Sequence, residues 1–109
     1  LRVVNPRHPI ANGVKDFDIP KTEIYGEPFE VPMPDAVVIY GYWDTGDSFP
    51  DVSCWTVSSK GVTSAAAKTA NPGGRVVYFR PGHETFPIFH QPEVQKVVTN
   101  CVLWAATKA

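Results

Sequence analysis

The chain lacks the cysteines that would let disulfides hold it together. Among its 109 residues only Cys54 and Cys101 carry thiols, too few for a disulfide framework. Cys54 falls in a strand pattern and Cys101 on the apolar face of a helical one, so both read as small buried hydrophobes. An excess of one charge is missing too. Ten Lys and Arg stand against eleven Asp and Glu, a net charge of -1. The basic residues are scattered, which argues against nucleic acid and against an anionic membrane surface as partners. No apolar run approaches the length of a membrane span, and no secretory signal opens the chain. The N-terminus reads as internal, which leaves cytoplasm and periplasm open, with the cytoplasm expected.

Motifs are missing as well. The three histidines, His8, His83 and His90, form no His-x-x-x-His, and no Cys-x-x-Cys occurs, so no local zinc motif exists. No cofactor is expected. A divalent metal held by distant segments is the one arrangement that spacing leaves open. There is no Gly-x-Ser-x-Gly or comparable cysteine elbow, so a nucleophilic mechanism has no support.

Proline, in contrast, is plentiful. Eleven prolines are about twice the usual share. They concentrate in residues 6–34 and 81–92, where they favour ordered turns over long helices. A chain this short forms one domain and buries roughly two-thirds of its unfolded surface.

Hydrophobic pattern divides the chain into four expected strands and one helix. Leu1 to Pro20 reads as a loop with at most one helical turn. Lys21 to Phe29 reads as a short strand bounded by Pro20 and Pro28, and Val31 to Pro34 as an edge or link. Ala36 to Trp43 is nearly all apolar and suits a strand buried on both faces. After the turn residues Asp44 to Asp47, Phe49 to Ser58 returns antiparallel. Lys60 to Gly74 holds little to bury and is expected to be a mobile hairpin loop, with one helical turn at Ala65 to Lys68. Arg75 to Phe79 is the fourth strand. Val94, Val97, Val98, Cys101, Val102 and Ala105 then follow helical spacing, and Trp104 extends the stripe. Pro92 and Glu93 suit the first turn.

The chemistry concentrates after the fourth strand, in Arg80-Pro81-Gly82-His83-Glu84-Thr85. A strand that ends in Pro-Gly and then two titratable residues is one way α/β sheets present reactive groups. Imidazole titrates near working pH and a carboxylate can fix its tautomer, so His83 and Glu84 are the acid/base candidates. Neighbours in an extended turn point apart, so direct contact between them is not expected. Arg80 is a candidate for binding a carboxylate on substrate, or for pairing with Glu84 or Glu27. Tyr25, Glu27, Trp43 and His90 offer ring faces and polar groups near loop ends, as a sugar site needs. An aromatic-rich core would show the same residues.

Several stretches carry a family resemblance. They are His8-Pro9-Ile10 with Gly13-Val14, Glu23 to Phe29 with Val31-Pro32, Cys54-Trp55, the block Val77 to Pro87, and Asn100 to Ala105. In order and spacing the chain resembles the trehalose-utilisation ThuA family. The connection at residues 60–74 is longer than is usual there. The resemblance implies a flavodoxin-like α/β sandwich, of the kind shared with class I glutamine amidotransferases. Residues 1–109 would be its C-terminal half, completed by an N-terminal half, with a homo-oligomer left open. It implies a small-molecule carbohydrate as partner: trehalose or a related, keto-oxidised disaccharide. The roles implied are acid/base work for His83 and Glu84, and substrate binding for Arg80, Tyr25, Glu27, Trp43 and His90. The amidotransferase nucleophile lies in the half not present here, and amidotransferase activity is not expected. A sugar-binding or regulatory domain without catalysis is the alternative.

Overall fold

A computed structural model of the chain describes residues 1–23, 33–43, 51–58 and 74–107. Within them a four-stranded antiparallel sheet runs in sequence order. Its strands are β1 (Arg2–Val3), β2 (Ala36–Gly41), β3 (Asp51–Ser58) and β4 (Arg75–Phe79), and a single α-helix, α1 (Pro92–Ala105), follows. This is a small α/β arrangement.

Strands β2, β3 and β4 form where β-branched and aromatic residues cluster, with β2 ending at Gly41 rather than at the expected Trp43, and β2–β3 pair antiparallel. The opening segment differs from its reading as a loop. Arg2 pairs with Tyr40 and Val3 with Ile39, which adds β1 to the sheet edge. Asp16 fixes this short strand by accepting the Val3 N–H at 2.8 Å. The one helical turn expected in that segment is present at Pro9–Ala11. The strand expected from Lys21 does not begin there: the chain bends at Pro20 and Lys21, and Thr22 and Glu23 are irregular. Ile24 to Phe29 lie outside the described residues, as does the expected mobile loop at 61–73.

Most buried apolar residues gather in one cluster, and Trp55 and Val57 of β3 are buried apart from it. Ile10, Val38, Ile39, Cys54, Val94 and Val97 belong to one buried cluster between β2, β3 and α1. Val38 and Ile39 are consecutive, yet both are fully buried. The β2–β3 register slips on either side of Ile39, and such an irregularity breaks the strict alternation of faces.

Helix α1 docks through Val94, Val97, Asn100 and Cys101. The predicted stripe is wider than the real one: Val102 is 63% exposed and Ala105 is exposed as well. Residues 94, 97, 101 and 104 follow one line down the helix, and 102 and 105 turn away from it. Trp104 packs against the core cluster. The Asn100 amide donates to Ile10 O and Asn12 O, each at 2.8 Å, and so ties the helix to the Pro9–Ala11 turn. No helix among the described residues is long and apolar enough to cross a membrane.

Candidate functional site

The site begins where β4 stops. The Arg80 N–H donates to Ser53 O at 2.8 Å and extends the β3–β4 ladder by one residue. Pro81 has no N–H to continue it. Gly82 then takes φ +142°, a region nearly closed to residues with a Cβ. Its N–H is caught by Thr22 Oγ1 at 3.1 Å. The strand end and the Thr22 segment thus fix the turn from both sides.

That turn aims His83. A bridge joins His83 to Phe86, with the Phe86 N–H donating to His83 O at 3.0 Å. The Thr85 N–H donates to His83 Nδ1 at 3.1 Å. With Nδ1 an acceptor, the neutral ring carries its proton on Nε2. Nε2 lies 3.2 Å from Glu23 Oε2 and 3.4 Å from Glu84 Oε2. The expectation that His83 and Glu84 would not touch is therefore corrected. The turn is tight rather than extended, and the long Glu84 side chain folds back over the ring.

Glu23 is the residue that sequence reasoning missed. It belongs to the stretch that carries the family resemblance, but its local pattern reads as strand and not as site. Its contact with His83 arises only when the two distant segments meet. Thr22, which holds Gly82, was missed for the same reason.

Two cavities flank this contact and share Pro81 and Phe86. One is a cleft of about 490 Å³ bordered by Glu23, Trp43, Tyr42 and Ser53. The other is a more open groove of about 870 Å³ bordered by Arg80, His83, Glu84, Phe89 and His90. The sequence-predicted residues are accordingly split. His83, Glu84, Arg80 and His90 meet at the groove, whereas Trp43 borders the cleft. His90 is exposed at the end of the short turn Ile88–His90. Arg80 is only 6% exposed, so its body packs beneath the turn. Tyr25 and Glu27 lie outside the described residues.

The cysteines take no part in this arrangement. Cys54 is fully buried in β3, and its thiol is pushed far up by its hydrogen bond with Cys101 and by burial. It stays protonated and is no nucleophile. Among the described residues no group of three or more His, Cys, Asp or Glu is placed to hold a metal ion.

A different environment surrounds His8. Its Nδ1 accepts the Ile10 N–H at 3.2 Å, and its ring lies 5.3 Å from that of Trp104. The Arg75 guanidinium sits 4.5 Å from the Trp104 ring centre. Burial and then the Arg75 charge lower the His8 pKa. His8 is a capping residue of the fold and not part of the site.

Comparison with curated proteins and with solved structures gives no match. The sequence profile described as ThuA, trehalose utilisation, matches residues 1–105. The match spans the whole described sheet and helix, together with the His83 turn and Glu23. The chain belongs to the ThuA trehalose-utilisation family.

Proposed function

We propose that this protein acts on a keto-oxidised disaccharide related to trehalose, by proton transfer without a covalent intermediate. The observation that carries the reading is the position of His83 Nε2, within 3.2 and 3.4 Å of two carboxylates with Nδ1 occupied by the Thr85 N–H. A carbonyl on a sugar ring makes the neighbouring C–H acidic, so one carboxylate can remove that proton. The charge that develops on the carbonyl oxygen needs a donor, and the His83 Nε2–H is suited to that role. When the carbonyl reforms, the C–O bond on the next carbon breaks, and the carboxylic acid returns its proton to the departing oxygen. Proton and electrons balance, and no outside reagent is needed.

In this reading His83 is the donor to the carbonyl oxygen and Glu23 takes the proton, because Glu23 borders the cleft. Glu84 supplies the second carboxylate from the groove side. Arg80 and His90, with Trp43 across the ridge, bind the two rings, and Tyr25 and Glu27 are kept as further substrate contacts. The flavodoxin-like, amidotransferase-like architecture, a cytoplasmic setting and a carbohydrate partner belong to the same proposal.

A second reading is favoured by the same geometry. Both His83 nitrogens already have partners in the protein, as they would in a sugar-binding or regulatory domain without catalysis. Calorimetric binding and turnover, measured on oxidised and unoxidised trehalose, separate the two. Turnover of the oxidised sugar alone supports proton abstraction. Binding of either sugar with no turnover leaves the binding domain. Glu23→Gln should cost more turnover than Glu84→Gln, and the reverse order would exchange the roles of the two carboxylates.

A further inference from the structure

Ser53 stands out as a residue the mechanism does not use. It is 1% exposed and its Oγ has no hydrogen-bond partner. Its backbone carbonyl accepts the Arg80 N–H. A buried hydroxyl without a partner weakens a fold, and serine brings no strand propensity in return. Packing alone would be served better by alanine or valine at this position.

The same residue borders the cleft, beside Gly41, Pro81 and the aromatic Trp43. Gly41 has no side chain to fill the space there, and Pro81 has no N–H to satisfy the hydroxyl. The cleft's charged residues are Asp18, Lys21 and Glu23, of mixed sign, so no strong field selects an ion. Aromatic walls, one polar group set deep and a weak net field suit a neutral polyhydroxylated ring.

We propose that Ser53 Oγ is a specificity-determining contact that hydrogen-bonds one hydroxyl of a sugar ring seated in the cleft. The inference rests on the sugar reading above and adds to it which cavity holds the ring and which atom reads it. A site built around one hydroxyl discriminates against the analogue that lacks it, because the protein group is then left unpaired.

The test uses Ser53→Ala and the parent protein, with trehalose and its monodeoxy analogues as probes, read by calorimetry. The parent should bind one monodeoxy analogue roughly tenfold more weakly than trehalose. Ser53→Ala should bind trehalose more weakly by a similar factor and lose discrimination against that one analogue only. Without ligand, Ser53→Ala should melt at the parent's temperature or above it, since it removes an unpartnered polar atom. A fall in melting temperature would show that the hydroxyl serves the fold, and would overturn the proposal. Parent-like affinity and ranking in Ser53→Ala would overturn it too, while leaving the sugar reading intact. If the parent binds none of these sugars, the Ser53 assignment falls, and the sugar reading falls with it only if keto-oxidised trehalose is not bound either.

Discussion

The layer between the sheet and α1 and the turn that follows β4 are held in opposite ways. In that layer the sheet packs on α1 through fully buried aliphatic groups, and Asn100, the polar side chain inside it, donates to two backbone carbonyls. At the Phe79 end of β4, the chain turns through a glycine at φ +142°, a histidine faces two carboxylates, and a serine hydroxyl has no partner. The first region packs its aliphatic side chains and pairs its buried amide. The second departs from that pattern several times within a few residues. Departures of this kind collect where a surface is shaped for a ligand rather than for its own stability.

If that contrast is right, the two regions should respond differently to substitution. The largest loss of stability should come from the core. Ile39→Ala deletes most of a fully buried side chain and should cost roughly 2–5 kcal/mol in denaturant unfolding, without changing sugar binding by the folded fraction. A cost below about 1 kcal/mol would mean that this layer is looser than its burial indicates.

Gly82→Ala should be milder in stability and harsher in function. The half-exposed Phe89 ring lies 2.9 Å from where the new Cβ would sit, and it can swing away. The φ of +142° cannot be relieved without moving the turn. A cost of roughly 1–3 kcal/mol is expected, together with a loss of turnover greater than that of the fold. Equal loss of both would remove the distinction between the two regions.

The smallest effect concerns pH. His8 has its pKa lowered below the ordinary 6.5 when the protein is folded, through burial and then Arg75. The unfolded chain therefore takes up the proton first as pH falls. The His8 contribution to stability should be flat above about pH 6.5 and decline below it, levelling once folded His8 is also protonated. His8→Gln should flatten that part of the unfolding profile. If the decline persists unchanged in the variant, another group is responsible.

Much of the architecture was legible in the sequence, because it rests on local patterns. The apolar runs of β2, β3 and β4 and the helical spacing of Val94, Val97 and Cys101 are such patterns. So is the Pro81-Gly82 turn. Strand β1 was not legible, since two residues carry no period and become a strand only by pairing with Tyr40 and Ile39. The exposure of Val102 was missed because a stripe read from spacing has no sharp edge. At the site, His83 and Glu84 could be named from the turn, and the family from motif order. Glu23, Thr22 and Ser53 could not be assigned, because each acts through a segment remote in sequence. Spacing along the chain does not encode which distant segments come together.

The central claim is that His83 polarises a substrate carbonyl, and the most direct measurement is kcat/KM of His83→Ala on keto-oxidised trehalose, beside its melting temperature. Loss of one preorganised donor should lower the rate by roughly 10²–10³-fold. His83 is a partly exposed turn residue, so the melting temperature should change little. Parent-like turnover by a folded His83→Ala would contradict the account and leave His83 as a residue that only shapes its turn.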